Sequence, residues 1–261
     1  MERAELIKAL KDRFESDAFL GAASLPIAAP AAAQSSSATT ANAKPPTTPV
    51  HRAPIAADEI ERRRVALQVI DDNEVKGCTQ CCLSETRTKT AFGVGAPNAR
   101  IMFVGEAPGH DEDIQGEPFV GKAGQLLTKM IEAGMGLKRS DVYICNVLKC
   151  RPPNNRNPAP DEVIACRNFL WRQIEIVQPE VIIALGAPAA QTLLNTREGI
   201  GRLRSQWHDF HLSGTPGVGD PIPLMPTYHP AYLLRSPGEK NKAWSDLKMV
   251  MTRLSLPLPA R

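Results

Sequence analysis

Carboxylates, an amide and an imidazole punctuate short glycine-bounded segments of this chain where chemistry can be done. Gly105-Glu106-Ala107-Pro108-Gly109 is a tight turn; glycines there let backbone approach a ligand and leave amides free to donate hydrogen bonds. His110-Asp111-Glu112-Asp113 follows at once. Consecutive acids beside such a turn can hold a water or stabilise a cationic transition state; they can equally open a helix, where acids sit well against the dipole. Glu117 to Gly124 (EPFVGKAG) is a second glycine-studded loop. Its Phe119 can stack on a planar ring, although a core Phe is the commoner use of such a residue. Asn146 can pair bidentately with a base edge or cap a loop. His229 precedes Pro230, which holds the chain extended, and can donate to a developing anion or serve structurally.

Around these lies a loop suited to phosphate. Residues 149–158 (KCRPPNNRNP) are basic and proline-stiffened, so Arg151 and Arg156, like Lys122 and Arg235 beside the other two loops, are candidate phosphate contacts if DNA is the partner, or belong to merely solvated loops.

The six cysteines are Cys78, Cys81, Cys82, Cys145, Cys150 and Cys166. Cys78 and Cys81 form a C-x2-C pair, with Cys82 an ambiguous neighbour. Four thiolates can hold zinc or an iron–sulfur cluster, and neither a second C-x2-C pair nor a ferredoxin run is present to decide the metal. Cys166 shares an apolar helix face with Val163, Leu170 and Ile174, so plain burial is its alternative; Cys145 reads as a buried strand thiol.

The elements that must position these residues alternate. Strand-like apolar runs fall at 101–106, 142–148, 181–186 and 223–229, and helical patterns at 124–133, 161–177 and 187–194. Alternating β and α elements predict a mostly parallel sheet with helices on both faces, and such sheets bind ligands beyond the C-terminal strand ends. Glu106, Asn146 and His229 all sit at those ends. The folded body is expected from residue 58, opening with a helix to about Ile70. Before it, residues 21–57 are rich in Ala, Pro, Ser and Thr and read as a flexible linker. Residues 1–20 hold a short amphipathic helix pattern (Ile7, Leu10, Phe14, Ala18) that suits either a protein partner or its own domain.

Composition narrows the classes. The net charge is +3, with 31 Lys+Arg against 28 Asp+Glu over 261 residues. A DNA-binding surface would therefore be a local concentration of charge on one face. No apolar run approaches a membrane span, and the N-terminus resembles no export signal. A cytoplasmic protein with metal-binding or buried thiols is expected.

Taken in order, C-x2-C, GEAPGHDED, PFVGKAGQLL, NVLKCRPPNNRNP, the cysteine of VIACRNFL and HPAYLLR resemble the iron–sulfur, family-4 branch of the uracil-DNA glycosylase superfamily. The resemblance runs from about Cys78 to Trp244. It implies an α/β fold, three-layer α/β/α with a central, mostly parallel four-stranded sheet, and hydrolysis of the N-glycosidic bond of uracil in DNA by a monomer. It implies a [4Fe–4S] cluster on Cys78, Cys81, Cys150 and Cys166. It further implies a uracil pocket of Glu106, Ala107, Phe119, Asn146 and His229, with Glu112 near the reacting sugar. The water-activating role falls to Glu106 or Glu112. A related branch traps itself covalently on uracil DNA through a histidine in an inserted basic loop; here KCRPPNNRNP runs straight into a helix, which favours turnover over a self-trapping or non-catalytic binder.

Overall fold

The computed structural model describes residues 54–215 and 218–259. The predicted N-terminal helix and all but the last few linker residues lie outside them. The first helix, α1 (Ala57–Ile70), runs into a wider turn, Asp71–Val75. The strands are β1 (Val94–Gly95), β2 (Ile101–Gly105), β3 (Tyr143–Asn146), β4 (Val181–Leu185), β5 (His208–Phe210) and β6 (Ile222–Thr227). Between and after them lie α2 (His110–Gln115), α3 (Lys122–Lys129), α4 (Pro160–Val177), α5 (Ala187–Leu194), α6 (Ile200–Leu203), α7 (Pro230–Arg235) and α8 (Lys240–Arg253).

The sheet order is β1-β3-β2-β4-β6-β5. Its four inner strands are parallel and are the four expected from the apolar runs. The count of four needs correction to six, because antiparallel β1 and β5 cap the edges. Two residues (VG) and three (HDF) carry no apolar run, which is why the edges escaped the pattern. Short edge strands also leave little unpaired backbone to template association.

Strand alternation builds the layers. Met102, Val104, Tyr143, Cys145, Ile182 and Ala184 face one side, where α1, α4 and α5 supply Ile70, Leu170 and Ala190. Ile101, Phe103, Ile144, Val181 and Ile183 face the other, against Leu127 of α3 and Leu247 and Val250 of α8. Burial on both faces explains why these strands read as unbroken apolar runs. Helix α8 was not anticipated, although Ala243, Leu247, Val250 and Met251 recur at helical spacing. Among the described residues no helix is long and apolar enough to cross a membrane.

The chain passes from β2 to β3 on one side, then crosses to β4 on the other. This reversal opens a crevice at the carboxyl ends of the strands. There Gly105 pairs with Asn146 and Leu185 with Thr227. Pairing continues past the strands, since Val147 and Leu148 donate to the carbonyls of Gly105 and Glu106, both at 3.0 Å. Glu106 is thereby fixed at the mouth of the crevice.

Candidate active site

A cavity of about 400 Å³ occupies that crevice. It gathers Glu106 and Ala107 from the turn after β2, Glu112 from α2, Phe119 from the loop before α3 and Asn146 from β3. Arg156, His229 and Arg235 complete the predicted residues on its wall. Residues the sequence reading did not single out also line it: Pro152, Asn155, Asn157 and Tyr232.

Asn146 is 1 % exposed, and its Oδ1 has no hydrogen-bond partner among the described residues. A buried acceptor left open costs roughly 1–3 kcal/mol, so such atoms mark places where a ligand is expected to complete the pair. Beneath it lies Gly105. A Cβ there would stand 2.3 Å from Asn146 Oδ1 and 2.5 Å from Phe119 Cζ. The amide and the ring thus rest on bare backbone, and only glycine leaves room for both.

Phe119 is 6 % exposed and has φ 58°, a left-handed conformation that side-chain-bearing residues rarely adopt. Its ring centroid lies 5.5 Å from that of His229, the planes inclined by 35°. Gly124 at the start of α3 permits this, since a Cβ would fall 1.8 Å from the Phe119 carbonyl oxygen.

The two candidate carboxylates differ sharply. Glu112 is a buried loop clamp. Its Oε2 accepts from the Gly109 amide (3.1 Å), and its Oε1 from those of Val120 (2.9 Å) and Gly121 (3.0 Å). The run of acids is the opening turn of α2, as the helix-start reading had it, and Asp113 accepts from Thr88 N at 2.8 Å. The Glu106 side chain makes no hydrogen bond or ion pair among the described residues, and burial raises its carboxyl above the ordinary 4.5.

His229 caps α7, its Nδ1 accepting from the Ala231 amide at 3.1 Å. An Nδ1 that accepts places the proton of the neutral ring on Nε2. Burial first, and the Arg235 cation second, push the imidazole down to about 4. At neutral pH this side chain is an uncharged Nε2–H donor. The loop is anchored behind by Thr227, whose hydroxyl donates to the buried Asp246 carboxylate at 2.7 Å. Asp246 in turn takes Arg204 Nε (3.1 Å) and Nη2 (2.9 Å).

The basic candidates are not alike. Lys122 and Arg235 are exposed, Arg235 at the cavity rim. Arg151 bonds Asn155 Oδ1 (2.7 Å) and His110 Nδ1 (3.1 Å). Arg156 grips Glu162 with both terminal nitrogens at 2.9 and 2.5 Å, and this pairing helps lower that buried carboxyl to about 2. Arg156 therefore also pins its loop to the start of α4.

Cys78, Cys81, Cys150 and Cys166 line one small pocket with Arg87, Lys149 and Phe169. Arg87 Nη1 donates to Cys150 Sγ at 3.2 Å and the Lys149 amide to Cys166 Sγ at 3.3 Å. Cys82 is exposed and does not line that pocket; its thiol reaches Glu162 instead at 3.5 Å. Cys145 is buried within β3, as expected. Among the described residues no three His, Cys, Asp or Glu side chains close around a single point; the four cysteines are spread round a cavity. Four thiols lining one pocket are a donor set that suits an iron–sulfur centre. Buried Lys149 joins the two regions, its Nζ donating to the Asn146 carbonyl and to Gln173 Oε1, both at 2.6 Å.

Comparison with known proteins gives a consistent neighbourhood. Residues 92–248 match the family described as the uracil DNA glycosylase superfamily. The chain is 44% identical over 190 residues to a type-4 uracil-DNA glycosylase of Archaeoglobus fulgidus, covering 70% of this chain and 92% of that one. It is 47% identical over 174 residues to the type-4 enzyme of Thermotoga maritima (66% and 86% covered). With that of Saccharolobus solfataricus the figures are 44% over 193 residues, 72% and 87% covered.

Proposed function

Because this chain belongs to the uracil-DNA glycosylase superfamily, we infer that it is a uracil-DNA glycosylase of DNA repair, hydrolysing the N-glycosidic bond of uracil in DNA to leave an abasic site. The observation that carries the reading is the orphaned Asn146 Oδ1 beside a buried aromatic ring and a neutral imidazole donor in one cavity.

A base must leave the helical stack to enter such a cavity, at a cost of about a few kcal/mol. Once inside, it would lie against Phe119, with the Asn146 amide meeting the N3–H and O4 of its pyrimidine edge. Cytosine presents the opposite pattern there and would leave buried groups unpaired, the strongest form of discrimination available to a polar pocket. As the C1′–N1 bond breaks, its electron pair passes to the base and charge accumulates on O2. His229 Nε2–H is the donor for that oxygen; a neutral donor stabilises the anion without itself being a competing acid.

The sugar becomes oxocarbenium-like and takes a water at C1′. We assign that water to Glu106. Its carboxylate has no other partner among the described residues and a raised basicity, whereas both Glu112 oxygens already hold backbone amides. Glu112 instead keeps the α2 and Phe119 loops together. Exposed Arg235 at the cavity rim and exposed Lys122 at the start of α3 suit flanking phosphates, with Arg151 and Arg156 on a loop held in place by their own bonds.

Cys78, Cys81, Cys150 and Cys166 would hold a [4Fe–4S] cluster. When bound, it supplies a crosslink between the segment after α1, the loop after β3 and helix α4.

The test is excision from a uracil-containing oligonucleotide, read as alkali-labile abasic sites, with the iron–sulfur absorbance of the same preparation. Multiple turnovers and a brown protein are expected. Failure to release uracil from single- or double-stranded substrate would overturn the assignment, and a denaturation-resistant protein–DNA adduct would replace it with self-trapping.

A further inference from the structure

The Phe119 ring is held from outside the cavity. Arg139 opens the short turn Arg139–Asp141, twenty residues further along the chain, and does not line the cavity. Its Nη2 nevertheless donates to the carbonyls of Pro118 (2.8 Å) and Phe119 (3.0 Å), and its Nη1 to Thr128 Oγ1 on α3 (3.1 Å). On the other side, the Glu112 carboxylate takes the next two amides, those of Val120 and Gly121. One cation therefore grips the carbonyls up to Phe119, and one anion grips the amides just beyond it. Between these two grips the backbone stands at φ 58°.

A phenylalanine left to itself would return to negative φ, because its Cβ opposes the left-handed conformation. Rotation about that bond would swing the ring away from Gly105 and His229. We propose that Arg139 is a positioning residue for base recognition: it fixes Phe119 in the left-handed conformation, so that the stacking face is formed before uracil arrives. This rests on reading Phe119 as the stacking platform. The guanidinium is suited to the task because its planar fork reaches two carbonyls and a hydroxyl together, which an ammonium on a flexible stem does not reproduce. Its contribution is preorganisation, an ordering cost met during folding and not during binding.

The experiment is a double-mutant cycle on the cluster-loaded, full-length protein, combining Arg139→Met with Phe119→Ala. kcat and KM on a single-stranded uracil oligonucleotide are measured, together with competitive inhibition by free uracil. Melting temperature and iron–sulfur absorbance are followed for every variant. Arg139→Met is expected to lower kcat/KM and weaken uracil inhibition by about tenfold, misplacement of a substrate-contacting group commonly costing this or more. In the Phe119→Ala background the same change is expected to add less than about twofold, since a residue acting through a ring has nothing to position once the ring is gone.

Arg139→Lys, which keeps charge and most of the stem, is expected to fold normally and fall between wild type and Arg139→Met; it takes over the cycle if the methionine variant folds poorly. A full, undiminished factor in the Phe119→Ala background would overturn the proposal, as would uracil inhibition that no Arg139 variant changes. Should Phe119→Ala alone leave uracil inhibition intact, the stacking reading itself fails, an outcome separate from failure of the cycle.

Discussion

In the strand-end cavity one buried amide oxygen and one half-buried carboxylate are left open among the described residues, whereas in the cysteine pocket two of the four thiols already have partners. Asn146 Oδ1 and the Glu106 carboxylate make no hydrogen bond among the described residues, but Cys150 and Cys166 each receive an N–H. On the proposed reading the cavity receives a visitor whose donors and acceptors complete it, and the pocket would hold a resident cluster. Stability flows in opposite directions as a result. Open buried groups cost folding energy that substrate binding recovers, while a bound cluster adds to the fold itself. Lys149 touches both regions, yet only through the Asn146 carbonyl. The comparison therefore predicts that changes in the cavity cost turnover and changes in the pocket cost stability.

The largest effect is expected at Glu106. Glu106→Gln should lower kcat by about 10²–10⁴-fold, the range for loss of a general base, with melting temperature little changed. Because burial holds this carboxyl above 4.5, it should also govern the acid limb of the wild-type profile, which should flatten in the variant. Glu112→Gln should act differently, since an amide cannot accept three N–H groups. Lower melting temperature and raised KM are expected, with kcat retained better than in Glu106→Gln. The reverse pattern in these two variants would exchange their roles.

His229→Ala should lower kcat by about 10²–10³-fold, as for removal of one donor to a developing oxyanion. Its titration separates the two kinds of cost further. The folded value of about 4 lies below the ordinary 6.5, so the unfolded chain binds the extra proton first as pH falls. Stability from this group is complete above 6.5 and is lost toward pH 4, at no more than about 1.4 kcal/mol per pH unit. In His229→Ala that part of the acid destabilisation should vanish, which urea titrations at pH 7 and 5 will measure.

Legibility differed between the regions in the same way. The four inner strands were readable because burial on both faces demands unbroken apolar runs, and the strand-end residues followed from them. Polar edge strands β1 and β5 offered no such signal. Residue type showed Asn146 and Phe119 as able to meet a base and His229 as able to donate to a developing anion, but not the tautomer of His229, which depends on one amide of α7. Glu112 was the undecided case. Its type suits catalysis as well as Glu106 does, and only the structure shows that both its oxygens already hold backbone amides. The supports of the site were hidden altogether. Gly105 looked like any turn glycine until two side chains were found lying on it, and Arg139 is distant in sequence from the ring it holds. In the pocket, spacing alone left zinc and iron–sulfur both open.

Gly105→Ala is a middle case, steric and not chemical. The added methyl would overlap both Asn146 Oδ1 and the Phe119 ring, and either must move by more than a hydrogen bond tolerates. A loss of about tenfold or more in kcat/KM is expected, carried mainly by weaker uracil inhibition. Unchanged inhibition by uracil would show that amide and ring do not need their present places.

The smallest effect on turnover is expected where the effect on stability is large. Cys166 lies on α4, turned toward the pocket and away from the cavity, which it does not line. Cys166→Ser should lose iron–sulfur absorbance, and its melting temperature should fall by about 10 °C, which for a domain of this size corresponds to about 3–4 kcal/mol of lost linkage. In the molecules that remain folded, kcat should stay within about threefold, because Glu106, Asn146 and His229 are carried by strand ends that the sheet holds without help from the pocket. KM for DNA should rise, since residues 150–158 lose an anchor while still presenting Arg151 and Arg156. A kcat loss approaching that of His229→Ala, in protein that still melts cooperatively, would mean that the pocket reaches the reacting base through Lys149 and the Asn146 carbonyl, and the separation of the two regions would fail at that one bond.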